Sequence, residues 1–188
     1  MAPGTLTLSR VGVGLHPVDE EDLTVQDRVK KDGTFEIKEV QDSNYAVYVW
    51  GLEENWYVKS ARFGADDVLS EGLQLEKGAA NGKLEVTLSS ASAQVDGSVS
   101  DDDGPVIGAR VRIAADPETP YTRFRSHHTQ TDQAGHFSLA GLPPGKYRLL
   151  ARSPASSDGS SSRSVPRALT LPENDHETLS MKLVKSQD

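Results

Sequence analysis

The chain has 188 residues, of which 36% are hydrophobic and 26% charged, and its net charge at pH 7 is −8. That length holds either one large β domain or two smaller domains with a core each. The negative charge argues against nucleic acid and anionic membranes as partners, because both are recognised through clustered lysines and arginines.

Short apolar patterns of period two run along the whole chain, bounded by glycine, proline, asparagine and aspartate turn signals. No stretch keeps a 3.6-residue apolar period for three turns, and residues 65–73 allow one helical turn at most. The pattern therefore predicts an all-β protein. In chain order, strands are predicted around Phe35/Ile37, Tyr45/Val47/Val49, Leu84/Val86/Leu88, Val95/Val99, Val111/Ile113, Phe137/Leu139 and Tyr147/Leu149.

An internal repeat relates the two halves of the chain. The segment Gly33-Thr34-Phe35-Glu36-Ile37 corresponds to Gly135-His136-Phe137-Ser138-Leu139, and Tyr45 corresponds to Tyr147 at the same offset. Leu84, Val86 and Leu88 likewise correspond to Leu179, Met181 and Leu183. The small residues of 89–93 separate the copies, so we expect one β-sandwich in residues 1–92 and a second in residues 93–188.

The turns of the repeat explain its residue types. Asp32-Gly33 and Gln133-Ala134-Gly135 supply glycine, which tolerates positive φ at a hairpin. Leu142-Pro143-Pro144-Gly145 forms a rigid turn that leads to Tyr147. We expect the ring of this tyrosine to enter the core and its hydroxyl to bond a backbone group, as in the tyrosine corners of other sandwiches.

The second repeat resembles a known family through four motifs: Val95-Asp96-Gly97-Ser98-Val99, Gly104-Pro105-Val106-Ile107-Gly108-Ala109-Arg110-Val111, Thr131-Asp132-Gln133-Ala134-Gly135-His136-Phe137 and Gly141-Leu142-Pro143-Pro144-Gly145-Lys146-Tyr147. These are similar to the carboxypeptidase regulatory-like domains, whose fold is a transthyretin-like (prealbumin-like) Greek-key β-sandwich. The resemblance implies an accessory, non-enzymatic module of a secreted, periplasmic or cell-surface protein. The run from Trp56 to Leu69 looks like multi-repeat exported proteins of soil bacteria.

The first repeat departs from this pattern at its beginning. Fewer residues precede Gly33 than precede Gly135 in its own repeat, so residues 5–15 match the second strand and the opening strand is missing. The first sandwich is then truncated, or completed by Thr5 to Leu8 or by another segment. An incomplete sandwich leaves an open sheet edge, which invites pairing with another chain.

Other polar motifs have simpler structural interpretations than catalysis or metal binding. His127 and His128 are adjacent, so on a strand they point to opposite faces and cannot share an ion. Asp101-Asp102-Asp103-Gly104 is typical of a hairpin turn, and residues 153–164 read as a serine-rich loop. With no cysteine in the chain, thiolate chemistry is excluded as well. We expect no cofactor, no metal and no catalytic group.

An aromatic cluster in the first repeat is the candidate binding site. If Tyr45 and Val47 face inward, Tyr48 and Trp50 point outward, which is unusual for a solvated strand. The full set is Tyr48, Trp50, Glu53, Asn55, Trp56 and Tyr57. It could stack on sugar rings, but packing against a neighbouring domain is the favoured interpretation.

The expected role is therefore a non-catalytic tandem β-sandwich segment of an exported bacterial protein, acting as a spacer, scaffold or protein-interaction module. Its expected partners are other domains of the same parent protein or a separate protein. Carbohydrate binding is the alternative, and a hydrolase with a dispersed active site is a third. No apolar run approaches the roughly 18 residues of a membrane helix, so no membrane insertion is expected.

Overall fold

The structure, a computed structural model, describes residues 6–19, 24–75, 82–154 and 161–185. Within these ranges strands dominate, and helical structure is confined to the short 3-10 turns Leu8–Arg10 and Arg123–Arg125. The predicted all-β class is confirmed. Among the described residues, no helix has the length and apolar character needed to cross a membrane.

The chain divides into two compact units. The first unit comprises residues 1–90 together with 119–124, and the second comprises residues 91–118 and 125–188. The sequence division at residues 92 and 93 assigned 119–124 to the second repeat, whereas the structure groups this segment with the first unit. The interpretation of the chain as two copies of one sandwich stays a prediction.

Two sheets enclose the core of the first unit. Its strands are β1 Gly12–Pro17, β2 Val25–Arg28, β3 Asn44–Trp50, β4 Tyr57–Phe63, β5 Asp66–Asp67, β6 Leu73–Gln74 and β7 Leu84–Ser89. One sheet has the order β2-β1-β3-β6, and the other has the order β5-β4-β7. Val13 and Val47 from the first sheet join Ala61 from the second in one buried cluster. This arrangement is a β-sandwich.

The second unit has a fuller set of strands: β8 Ala93–Ser100, β9 Arg110–Ala115, β10 His127–Gln130, β11 His136–Leu142, β12 Gly145–Arg152, β13 Ser162–Ser164, β14 Arg167–Leu171 and β15 His176–Lys185. They follow the order β10-β9-β12-β13-β15-β8-β11, and β14 also pairs with β12. Strand β8 runs parallel to β15 and antiparallel to β11. Of the predicted serine-rich loop, residues 155–160 lie outside the described residues and Ser162–Ser164 form β13.

The geometry predicted for Tyr147 is confirmed, and Tyr45 of the first unit has the same geometry. The Tyr147 hydroxyl donates to the carbonyl oxygen of Pro143 at 2.6 Å, and the Tyr45 hydroxyl donates to that of Gln41 at 3.0 Å. Each hydroxyl therefore reaches the carbonyl four residues upstream. This pairing lets a large ring fill the core without leaving its polar atom unpaired.

The strand predicted around Phe35 and Ile37 is wrong. In the second unit the corresponding residues lie in β11, whose ladder partner is β8. The described part of the first unit has no strand in the place of β8, so residues 33–37 have no ladder to join. The amide N–H of Glu36 instead donates to Oδ2 of Asp27 at 2.8 Å.

The first described strand, β1, has the place that the sequence predicted for it. Strand β1 pairs with β3 as β9 pairs with β12, which agrees with the expected match of this region to the second strand. Residues 6–11 contain no strand, and Leu6 and Leu8 pack partly against the core of the first unit. Thr5 lies outside the described residues.

Candidate aromatic surface

Alternation along β3 separates a core face from an outer face. Tyr45 and Val47 are buried in the core of the first unit, and Tyr48 and Trp50 project from the opposite side of the strand. Their ring centroids lie 5.7 Å apart with 32° between the ring planes. We call this pair the aromatic surface.

Two glycines on β1 make room for the aromatic surface. In the register of β1 and β3, Gly12 faces Trp50 and Gly14 faces Tyr48. A Cβ on Gly12 would lie 2.0 Å from Cζ2 of Trp50, and one on Gly14 would lie 2.4 Å from the Tyr48 ring. Both rings therefore lie directly against the β1 backbone, at a distance that a side chain would prevent.

Hydrogen bonding and burial fix the Tyr48 ring further. Its hydroxyl donates to Oε1 of Gln26 on β2 at 2.9 Å. Partial burial raises the pKa of the Tyr48 hydroxyl, because burial penalises the phenolate. The hydroxyl is therefore neutral at physiological pH, and its hydrogen bond passes over β1 to reach Gln26 on β2.

The segment 119–124, which belongs to the first unit, adds a third ring. The Phe124 centroid lies 6.0 Å from that of Tyr48 and 4.7 Å from that of His16, the latter edge-on. The guanidinium carbon of Arg123 lies 4.9 Å from the Phe124 centroid. Phe124 was not identified from the sequence, because an isolated aromatic residue between two arginines belongs to no apolar period.

The remaining predicted site residues lie at and beyond the end of β3. Glu53, Asn55 and Trp56 are partly buried in the connection to β4. The backbone N–H of Trp56 donates there to the Glu53 carbonyl oxygen at 2.8 Å. The Glu53 carboxylate lies 3.9 Å from the Arg10 guanidinium. Tyr57 is only 3% exposed, so its ring offers no face to a ligand and is omitted from the site proposed below.

The acidic motif of the second unit forms a turn. The carboxylate of Asp101 accepts the N–H groups of Asp103 at 2.9 Å and Gly104 at 3.1 Å, and the Asp101 N–H donates to the Gly104 carbonyl. These bonds close the hairpin that the sequence predicted. Among the described residues, no group of three or more histidine or carboxylate side chains is arranged to hold a metal ion.

The predicted geometry of the histidines is confirmed. His127 is partly buried and the adjacent His128 is exposed, as expected for neighbours on strand β10. Burial lowers the pKa of His127, and the nearby His128 and Arg125 lower it further. His136 is exposed and the following Phe137 is buried.

Comparisons with known proteins agree with the sequence motifs of the second repeat. A family model, the carboxypeptidase regulatory-like domain, matches residues 94–184. A comparison with curated proteins found no match.

Several solved structures are similar at low identity. A minor pilin of Streptococcus agalactiae is 13% identical, with a TM-score of 0.39 over 95% of this chain and 84% of the pilin. The major pilin subunit of Bacillus cereus is 8% identical, with a TM-score of 0.39 over 96% of each chain. A Pseudomonas aeruginosa protein proposed to bind carbohydrate is 15% identical, with a TM-score of 0.36 over 48% of this chain and 88% of its own. On the family match, residues 94–184 are a carboxypeptidase regulatory-like domain.

Proposed function

We propose that this chain is a non-catalytic tandem β-sandwich segment of an exported bacterial protein, serving as a spacer, scaffold or protein-interaction module. Its partners are other domains of the parent protein or a separate protein. The proposed location is outside the cytoplasm, in the periplasm, at the cell surface or in the medium.

The observation that carries this proposal is that two carboxylates with a lowered pKa, Asp132 and Asp32, hold backbone turns. The Asp132 carboxylate accepts the N–H groups of His136 and Ala134, both at 2.8 Å, and these donors lower its pKa. The Asp32 carboxylate likewise accepts the hydroxyl and the N–H of Thr34, and these donors lower its pKa. A general acid or base works best with a pKa near the operating pH. The pKa values of Asp132 and Asp32 are lowered and so lie farther from neutral pH than that of an ordinary carboxylate, which suits a structural role.

A hydrolysis screen tests the non-catalytic proposal. Chromogenic esters, peptides and glycosides are incubated with the chain and with an Asp132→Asn variant. For every substrate we expect the rate of hydrolysis with protein to equal the rate in a control without protein. Reproducible turnover that one side-chain substitution abolishes would contradict the proposal.

Carbohydrate binding is a second candidate function, favoured by the geometry of Tyr48 and Trp50. Rings laid against a glycine backbone present a flat apolar face, which suits stacking on a sugar ring. Glu53, Asn55 and Trp56 follow in the connection after β3, where carboxylate and amide oxygens can accept sugar hydroxyl groups.

A glycan array followed by titration calorimetry tests this candidate. We expect binding of a defined glycan to disappear in Trp50→Ala and to persist in Tyr57→Phe, because the Tyr57 ring is buried. A Trp56→Ala variant determines whether that ring contributes. Absence of binding across the array, or binding that Trp50→Ala leaves intact, would reject the aromatic surface as a glycan site.

A further inference from the structure

We propose that the first unit binds an extended strand of a partner polypeptide between β7 and residues 33–37. We call this site the strand groove, with Gly33–Ile37 as one wall and Lys83–Thr87 as the other. The inference deepens the proposed function and rests on it, since it gives a protein-interaction module its binding site.

The first observation is an unpaired sheet edge. Strand β7 pairs with β4, and within the described residues it has no neighbour on its other side. The corresponding strand of the second unit, β15, pairs with β13 on one side and with β8 on the other. The β8 pairing runs in parallel from His176 opposite Gln94 to Lys182 opposite Ser100. The place that β8 fills in the second unit is therefore open in the first.

The second observation is a cavity at that place. The groove has a volume of about 780 Å³ and runs between the two walls. Leu15, Phe63 and Leu73 line it from within the unit. Its lining thus combines these apolar side chains with backbone and polar groups of the two walls, a combination that suits an added β-strand.

The third observation is incomplete burial of the walls. Phe137 and Leu139 are 5% and 4% exposed in the second unit, where β8 pairs with β11. Their counterparts Phe35 and Ile37 are only partly buried. The same contrast separates Leu179 and Met181 of β15, which are buried, from Leu84 and Val86 of β7, which are not. A strand in the groove would complete the burial of these four side chains.

The residue types that the bound segment needs can be inferred from β8, which fills the corresponding place in the second unit. Val95 and Val99 are fully buried, whereas Asp96 and Ser98 between them are partly exposed. A Cβ on Gly97 would lie 2.7 Å from Cζ of Phe137 and 2.4 Å from the Leu179 carbonyl oxygen. The groove therefore fits an extended segment parallel to β7, with small or β-branched apolar residues at alternate positions. A very small residue should face Phe35.

This chain does not supply that strand from its described residues. Leu6 and Leu8 pack partly against the core, and Leu8–Arg10 form a 3-10 turn that does not line the groove. Strand β8 already has a neighbour on each side in its own unit. The described residues leave the groove open, and we assign it to a strand of a partner polypeptide.

The test uses the full chain and a fluorescein-labelled peptide with the sequence of Ala93–Ser100. A control peptide carries aspartate at the positions of Val95 and Val99. We expect saturable anisotropy with the first peptide and at least about tenfold weaker binding of the control, because its charges would enter an apolar groove. Binding to Ile37→Lys should be lost, and binding to Val165→Lys, a change at an exposed apolar residue of the second unit, should be retained.

Hydrogen exchange on the unmodified chain locates the peptide and does not depend on any variant folding. Amides of Gly33–Ile37 and Leu84–Thr87 should exchange about tenfold more slowly with the peptide bound, and those of β1 and β3 should not change. No saturable binding, or protection elsewhere, would overturn the proposal. Protection of the groove that rises with protein concentration, together with dimer formation, would assign it to a second copy instead. Hydrolytic turnover would overturn the proposed non-catalytic function, but peptide binding in the strand groove would stand or fall on its own measurement.

Discussion

Replacing Gly12 by alanine tests whether the Trp50 ring is held against the β1 backbone. The added Cβ would lie 2.0 Å from Cζ2 of Trp50, far inside any real carbon contact. Because the whole indole must move, we expect an overpacking cost of about 1–3 kcal/mol. The gain from restricting the unfolded chain is about 0.4–1 kcal/mol, so an overpacking cost at the upper end of its range, as the 2.0 Å contact implies, leaves a net loss of about 2–2.6 kcal/mol.

A double-mutant cycle with Trp50→Ala isolates this contact. Both tryptophans, Trp50 and Trp56, lie in the first unit, so fluorescence during urea unfolding follows that unit, and Trp56 retains a signal when Trp50 is removed. Without the indole, Gly12→Ala should be neutral or stabilising. An equal cost of Gly12→Ala in both backgrounds, or no cost in the unaltered chain, would refute the interpretation that the glycine makes room for the ring.

Three further predictions concern the second unit. Tyr147→Phe leaves the buried Pro143 carbonyl without its donor and should lower the free energy of unfolding by about 1–3 kcal/mol, measured in urea. Burial lowers the pKa of His127 in the folded state, so stability should fall as the pH drops below about 6.5 toward that lowered value. A His127→Gln variant should show a flatter urea midpoint between pH 7.5 and 5.5, and an unchanged slope would contradict this. Asp132→Ala should destabilise more at pH 7 than at pH 2, since the lowered pKa of Asp132 stabilises the fold only while the carboxylate is charged. An equal effect at both pH values would assign its role to something other than the ionised carboxylate.

Local signals in the sequence predicted the turns and the faces of the strands well. The glycines at 33 and 135 have φ values of +84° and +75°, which other residues rarely adopt. The two tyrosines that follow reach the same relative carbonyl in each unit. These features depend only on neighbouring residues, and for that reason they can be predicted without the fold.

Pairing between distant strands could not be predicted in the same way. The alternation at Phe35 and Ile37 indicates which side chains turn inward, but a strand also needs a neighbour for its backbone groups. The aromatic surface shows a similar limit. Alternation places Tyr48 and Trp50 on one face, whereas the role of Gly12 and Gly14 depends on the register of β1 against β3. A glycine within a strand indicates that another group comes close to the backbone, but the sequence does not say which group that is.

The two candidate surfaces of the first unit lie on different sides of one sheet. Leu15 on β1 turns inward and lines the strand groove, and Gly14 next to it lies beneath the Tyr48 ring on the outer face. A ligand on one side therefore does not displace a ligand on the other. Trp50→Ala and Ile37→Lys should then act independently, each abolishing its own binding and leaving the other unchanged. If either substitution weakened both, the sheet would be transmitting a change in packing between its faces, and the two surfaces would have to be treated as one site.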